Sequence, residues 1–445
     1  MAEETLTKTK TAAEIFGETP AKDMLVELFA DFHPGFIDQT RDIATIFSQQ
    51  SAQSMLAQLA GVEQLLSEED TYEVTVKKFQ SQIDKAESMR NELLAQVFNQ
   101  IRPIEQSYRQ LMLFFENAKV PDGKVRQAPE LYVFNADSKA IKNPVESMNV
   151  AAIEQFVRNR NDNFNFRDDI CNLVVPGYLS MPVREKLEEV ANAWGMLLIG
   201  DTDDERKFRD VDRNFEPGGK YEFMKRPEDR AASDVILTGY LQLRQAYSFE
   251  QGMEAGMYAP PSLIFAGALT RTDNSQGLVQ GPVGSRFGQI VGVEKSRFEP
   301  LIGEMEHLSM ERQLIPIIRD ADNHLCFFGC RTQAHDPYGV YKFFTSYRIL
   351  RYLERCCRHY LLQVAGRVLT RDFMDEEVDR PLRRMLQEQM DQGTILGFDL
   401  NVDKDFQKRM QGICEITLTV QPTGPAETFV LKLDVPEFKA DSEKK

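Results

Sequence analysis

The sequence predicts a mixed α+β / α/β protein: a helical N-terminal region, an α/β middle region and a C-terminal α+β domain ending in a long β-hairpin. Three observations carry that expectation. From Tyr72 to Val97 apolar residues recur every three or four positions, the period of a long amphipathic helix. Between Asp169 and Gly200 a strand-like run, a helix-like run and a second apolar run follow in order, the pattern of a parallel pair with its crossover helix. Near the end, residues 413–420 and 429–435 alternate in polarity around the turn Gln421-Pro422-Thr423-Gly424-Pro425.

The chain has 445 residues, enough for two or three domains and a large core. The expected divisions are residues 1–124, 125–309 and 310–445. An apolar fraction of 42% with 29 Phe excludes a wholly disordered chain. A net charge of -16 argues against nucleic acid or an anionic membrane as the main partner, because phosphates repel an acidic surface. No apolar run approaches the roughly 18 residues of a membrane span, and the first residues lack the apolar stretch of a secretory signal. Six Cys without a disulfide pattern fit a reducing cytosol, so a cytoplasmic protein is expected.

Residues 1–20 are polar. Met24–Phe29 opens an apolar helix that breaks at His33-Pro34-Gly35, and a second helix runs from Phe36 towards Leu59. The long helix begins near Ser67; Pro103 kinks or restarts it before Tyr108, Leu111, Met112 and Phe115, and Val120-Pro121-Asp122-Gly123 stops it. Its apolar face is expected in the core, which leaves the short first helix as the better partner-binding candidate.

In the middle region Leu131–Phe134 reads as a strand and residues 150–157 as a short helix. Asp169–Pro176 is a strand. Pro182–Trp194 is a helix with Val183, Leu187, Val190 and Ala191 inward, and Met196–Gly200 is a buried strand. Val235–Leu237, Leu263–Ala268 and Ile290–Val293 are further apolar runs. The acidic run Asp201–Glu205 offers oxygen donors for Mg²⁺ or Ca²⁺, but neither EF-hand spacing nor a phosphate loop accompanies it, so a solvated loop is expected. The glycines from Gly281 to Gly288 are too irregular for a nucleotide loop.

Further on, Leu314–Ile318 and Leu325–Phe328 flank Asp320-Ala321-Asp322-Asn323 as a hairpin. His324, Cys326, Cys330 and His335 offer zinc-type donors, but Cys-x3-Cys is not a usual knuckle, and two buried Cys in a sheet is the favoured reading. Tyr338–Leu369 is a long helix. On it Arg348, Arg351, Arg355 and Arg358 recur at spacings of three, four and three, a basic stripe on an acidic protein. The stripe is either a solvated face with carboxylates of its own chain or a docking face for an acidic neighbour. Adjacent Cys356 and Cys357 cannot pair within a helix. Pro381–Met390 is a short helix with Leu382, Met385 and Leu386 on one face and Gly393 as its stop. In the closing strands Cys414, Ile416, Leu418 and Val420 point one way. A terminal strand pair leaves an edge that another chain can extend. Five scattered His without a nucleophile, metal or phosphate motif give no catalytic or metal site and imply no cofactor.

One order of motifs is specific beyond these patterns. SLIFAGALTR at Ser262–Arg271, PVGSRFGQIVGV at Pro282–Val293, RQLIPIIRDADNHLCFFGCRT, SYRILRYLERCCRHYLLQVAGRVL, LRRMLQEQMDQGTILGFDLNV and GICEITLTVQPTGPAETFVLKLDV follow one another. Over about residues 230–436 this order resembles the large subunit of the type VI secretion contractile sheath, the TssC/VipB family. The last unit is also similar to the end of phage tail-sheath proteins. The resemblance implies a sheath-type C-terminal domain and a structural, non-enzymatic role. The chain would pair with a small sheath subunit, and the heterodimers would stack as a helical polymer around an inner needle tube. A baseplate and an ATP-driven unfoldase are further implied partners, with no nucleic acid and no membrane insertion. Neighbours would interlace by strand exchange through Ile413, Glu415, Thr417, Thr419, Phe429, Leu431, Leu433 and Val435. Arg348, Arg351, Arg355 and Arg358 would face the inner tube or a neighbour. The competing classes are a metal-dependent enzyme, using Asp201–Glu205 or the His324 group, and a cytosolic adaptor binding through its N-terminal helices.

Overall fold

A long helix, α1 (Tyr72–Ala118), leads into the rest of the described fold. The structure, a computed structural model, describes residues 72–120, 130–134, 171–222, 229–247, 256–334 and 339–426, with a few isolated positions besides. The expected helices before residue 67, most of the short helix at 150–157, and the return strand with Phe429, Leu431, Leu433 and Val435 lie outside the described residues. The chain forms two compact units, Met1–Val97 and Phe98–Lys445. In the first, the described part of α1 exposes Val76, Ile83, Met89, Leu93 and Val97.

The second unit is built on a five-stranded sheet. Its strands are β1 (Asn172–Tyr178), β2 (Leu197–Asp201), β3 (Asp234–Thr238), β6 (Ile315–Arg319) and β7 (Leu325–Phe327), in the order β1-β2-β3-β6-β7. The first four run parallel, and β7 returns antiparallel as the expected hairpin. Parallel strands need a crossover, and α2 (Met181–Trp194) supplies it between β1 and β2. A proline at its first turn starts α2, and Gly195 in the left-handed region stops it by donating its N–H to the Ala191 and Asn192 carbonyls. Between β3 and β6 lie a small antiparallel pair, β4 (Leu241–Arg244) and β5 (Met257–Ala259), and the helix α3 (Ser262–Gln276).

Alternation along the strands divides the core. Leu197, Ile199, Val235 and Leu237 point into one cluster with Ile264, Phe265 and Phe344, whereas Leu198 meets Leu187 and Val190 of α2 on the other face. Ile236 faces a third group with Val211, Phe215 and Tyr221. Because β3 pairs with β6, the expected boundary near residue 309 runs through this sheet.

The helix α4 (Phe344–Val364) joins this core to a second one. Phe344 and Tyr347 enter the sheet core; Ile349 and Leu353 enter a cluster with α5 (Arg380–Asp391) and a two-stranded antiparallel sheet. That sheet is β8 (Ile395–Val402) with β9 (Ile416–Pro422); a short helix, α6 (Phe406–Met410), lies between them. Leu382 and Leu386 of α5 are buried there, as their spacing requires. Ile416, Leu418 and Val420 turn inward and their alternate neighbours turn outward. One strand expectation fails: Leu131–Phe134 is irregular, with Val133 and Phe134 exposed.

Candidate assembly surfaces

Helix α1 is not a core helix turned apolar side in. Ile101, Ile104, Tyr108, Met112 and Phe115 are all exposed, Ile104 by 71% and Tyr108 by 62%. At about 100° per residue they share roughly a quarter of the helix circumference and run for about 20 Å. The opposite side is the docked one, and much of it is polar. Arg102, Gln106 and Gln110 donate to the carbonyls of Gly256, Tyr258 and Pro260 at 3.3, 3.0 and 3.3 Å. Glu105 takes two hydrogen bonds from Arg244, at 2.8 and 3.1 Å. Asn117, fully buried, donates to the Val291 carbonyl and accepts from the Val291 N–H. Leu113 and Phe114 enter the apolar core, and Leu111 packs partly buried against it. The expectation that the apolar face is core is therefore reversed: amides bonded to backbone carbonyls satisfy the inner side, and the apolar seam is left to water.

The terminal sheet offers a second surface. Among the described residues β8 and β9 pair only with each other, so each shows one paired edge. Thr417 and Thr419 point outward from β9; Ile413 and Glu415 precede it and are exposed. Glu415 takes Lys408 Nζ, which also holds Asp403, so ion pairs clamp the β8–β9 connection.

The arginine stripe is mostly engaged within the chain. Arg348 is 2% exposed and forms a two-bond ion pair with Asp273. Arg351 bonds Glu354 at 2.9 Å and lies over the Tyr347 ring. Arg355 donates to the Gly195 carbonyl at 2.8 Å and to that of Trp194. Arg358 alone of the four is strongly exposed, at 75%, beside Glu354. Arg348 is thus an internal anchor, because the sheet core closes over the first turns of α4. Beside the outer arginines, Tyr352, Arg355, His359, Tyr360 and Met385 line a groove of about 350 Å³ between α4 and α5.

The acidic run at the carboxyl end of β2 is not a solvated loop. Asp201 is fully buried and accepts the N–H groups of Gly177 and Ser262 at 2.8 and 2.9 Å. Glu205 is buried against Tyr221, whose hydroxyl bonds it, and takes Asn214 at 3.1 Å. Asp203 pairs with Lys220 and Asp204 with Arg297. Loss of water pushes the Asp201 carboxyl up to about 7 despite its two N–H donors, and burial raises Glu205 to about 7 against the Tyr221 hydrogen bond. Between about pH 4 and 7 the folded chain therefore holds protons that the unfolded chain has released. Stability is full at the acid end of this window and falls as pH rises through about 7. For Asp201 the fall is at most about 4 kcal/mol. Asp201→Asn is expected to shrink the drop in urea midpoint between pH 5 and pH 8. An unchanged slope would mean the carboxyl is already ionised in the fold.

Cys326 and Cys330 are buried in the sheet core, which is the packing role expected for them, and His335 lies outside the described residues. No described helix is long and apolar enough to cross a membrane.

This architecture is that of a contractile-sheath protein. The chain is similar to a chain of the anti-feeding prophage (AFP) baseplate, with a TM-score of 0.50, 16% identity, and coverage of 69% of this chain and 83% of that one. It is also similar to a chain of the PVC sheath complex, an extracellular contractile injection system in its contracted state, with a TM-score of 0.51, 13% identity, and coverage of 64% and 75%. At such identities these likenesses establish the shared fold alone. The family model for the type VI secretion system TssC/VipB central domain matches residues 96–332, more than half of the sequence, and the chain belongs to that family. No curated protein matches it.

Proposed function

We propose that the chain is a structural subunit of a type VI contractile sheath in the cytoplasm, which pairs with a small sheath subunit, polymerises around an inner needle tube and contracts to eject it. The observation that carries this reading is the reversed amphipathic helix. An apolar seam some 20 Å long, on a helix whose other side is already anchored, is a surface made for a second helix. The small subunit is its natural occupant in a family that works as heterodimers.

Strand exchange between heterodimers is supported by the terminal sheet. Two strands with an open edge gain hydrogen bonds by accepting or lending a strand. Ile413, Glu415, Thr417 and Thr419 lie on the described part of this element, and Phe429, Leu431, Leu433 and Val435 would complete it. Arg351, Arg355 and Arg358, with the groove beside them, remain the basic face for a neighbour or the inner tube. Contraction is then a rigid-body change between two packings, with exchanged strands as tethers. The free energy resides in the lattice, and the work is cohesion and movement rather than catalysis.

Truncation after Gly424 keeps β9 and its inward residues but removes the return segment. Co-expressed with the small subunit, the truncated chain is expected to form heterodimers but no tubes in negative-stain images. Tubes of normal length would overturn the strand-exchange reading.

A further inference from the structure

We propose that the tip of the β6–β7 hairpin is a divalent-cation site built by Asp320, Asp322 and His324, suited to a transition metal such as Zn²⁺ or Mn²⁺. One oxygen of each carboxylate and one imidazole nitrogen lie within 4.8 Å of one another. The anchor is Asp320, whose side chain is only 3% exposed. Its Oδ1 accepts the N–H groups of Asp322 and His324 at 3.0 and 2.8 Å. Its Oδ2 is buried and has no hydrogen-bond partner among the described residues. A carboxylate oxygen removed from water and left without a donor is costly, and a cation is the ligand that offsets the cost.

The nearby arginine does not fill that role. Arg319 is committed to Glu299 at 2.7 and 3.1 Å and to the carbonyls of Asn323 and Glu294. The hairpin is rigid at the site: Asp320 donates its N–H to the His324 carbonyl at 2.9 Å, and Arg319 and Leu325 are cross-strand partners. Asp322 and His324 are exposed, so metal arrives from solvent and positions stay open for water or a donor from another molecule. Two carboxylates with one imidazole favour a borderline transition metal over Mg²⁺, which prefers oxygen donors in strict octahedral geometry. Cys326 alternates with His324 on the strand but takes no part. It is fully buried, and burial pushes its thiol up to about 11.

The full chain, purified without a histidine tag and stripped with a chelator, is titrated with ZnCl₂, MnCl₂, CaCl₂ and MgCl₂ by calorimetry. One Zn²⁺ or Mn²⁺ per chain is expected, bound at least about tenfold more tightly than Ca²⁺ or Mg²⁺. His324→Ala, at an exposed position, should keep the metal-free thermal midpoint and weaken binding by about tenfold or more. Co²⁺ in the site should give weak visible bands without thiolate charge transfer. Saturable binding that is absent at millimolar metal, unchanged in His324→Ala, or accompanied by thiolate bands would overturn the site.

Discussion

Ile104→Glu combined with Tyr108→Lys is expected to abolish capture of the small sheath subunit while the chain itself folds normally. Both side chains are mostly in water in the isolated chain, so their loss removes little core packing, within about 0.5 kcal/mol each. The introduced charges are four residues apart in the favourable order and are good helix formers, so α1 persists. In the proposed heterodimer the same positions would sit at the centre of the seam. Each buried apolar side chain there contributes about 1.5–3 kcal/mol, and an unpaired charge in its place adds a desolvation cost. A loss of about 4 kcal/mol or more weakens pairing by roughly a thousandfold. Co-elution on size exclusion and a titration against the small subunit read the effect, and thermal melting of the lone chain is the control. The opposite face gives the contrast: Gln106→Ala and Gln110→Ala remove bonds to the Tyr258 and Pro260 carbonyls and should lower the melting temperature. Undiminished pairing in the seam variant would locate the heterodimer interface elsewhere.

The sequence made the strand–helix–strand unit legible because its signals are local. The continuous apolar run Met196–Ile199, a proline at the start of α2 and Gly195 at its end all act within a few residues. The inward face of β9 was legible for the same reason. Periodicity on α1 defined a stripe but not its direction, since a 3.6-residue repeat is the same whether it faces core or solvent. The clue lay across the helix, where Arg102, Gln106 and Gln110 recur every four residues. Their partners, the carbonyls of Gly256, Tyr258 and Pro260 in and on either side of β5, are about 150 residues away. Arg348 and Asp201 were misread for a related reason. Charge suggests solvent, but Asp273 and the N–H groups of Gly177 and Ser262 are supplied by tertiary contacts. Leu131–Phe134 has the composition of a strand but takes irregular backbone. The two carboxylates of the hairpin tip read as turn formers, and only the buried, unpartnered oxygen of Asp320 sets them apart.

The second large effect lies at the centre of the sheet. Arg184 of α2 and Asp234 of β3 form an ion pair with both side chains completely buried, Nη1 lying 2.8 and 2.9 Å from the two carboxylate oxygens. The guanidinium lies close over β2, since a Cβ at Gly200 would stand 3.2 Å from Nη2. Among the described residues Nε and Nη2 have no hydrogen-bond partner, so the pair is only partly satisfied. Asp234→Ala would leave a buried cation without the carboxylate that holds it. The expected cost is about 3–5 kcal/mol, a large part of the total stability of a typical fold. A much lower urea midpoint, or an insoluble chain, is the expected outcome. Arg184→Met with Asp234→Leu removes both charges while keeping the volume apolar, and should recover most of the loss or exceed the parent, because the desolvation of two ions disappears with them. Asp234→Ala costing under about 1 kcal/mol would mean that water reaches the guanidinium. If the double variant were as unstable as the single one, the pair would be needed to hold α2 against β3, and its geometry rather than its charge would be what the fold requires.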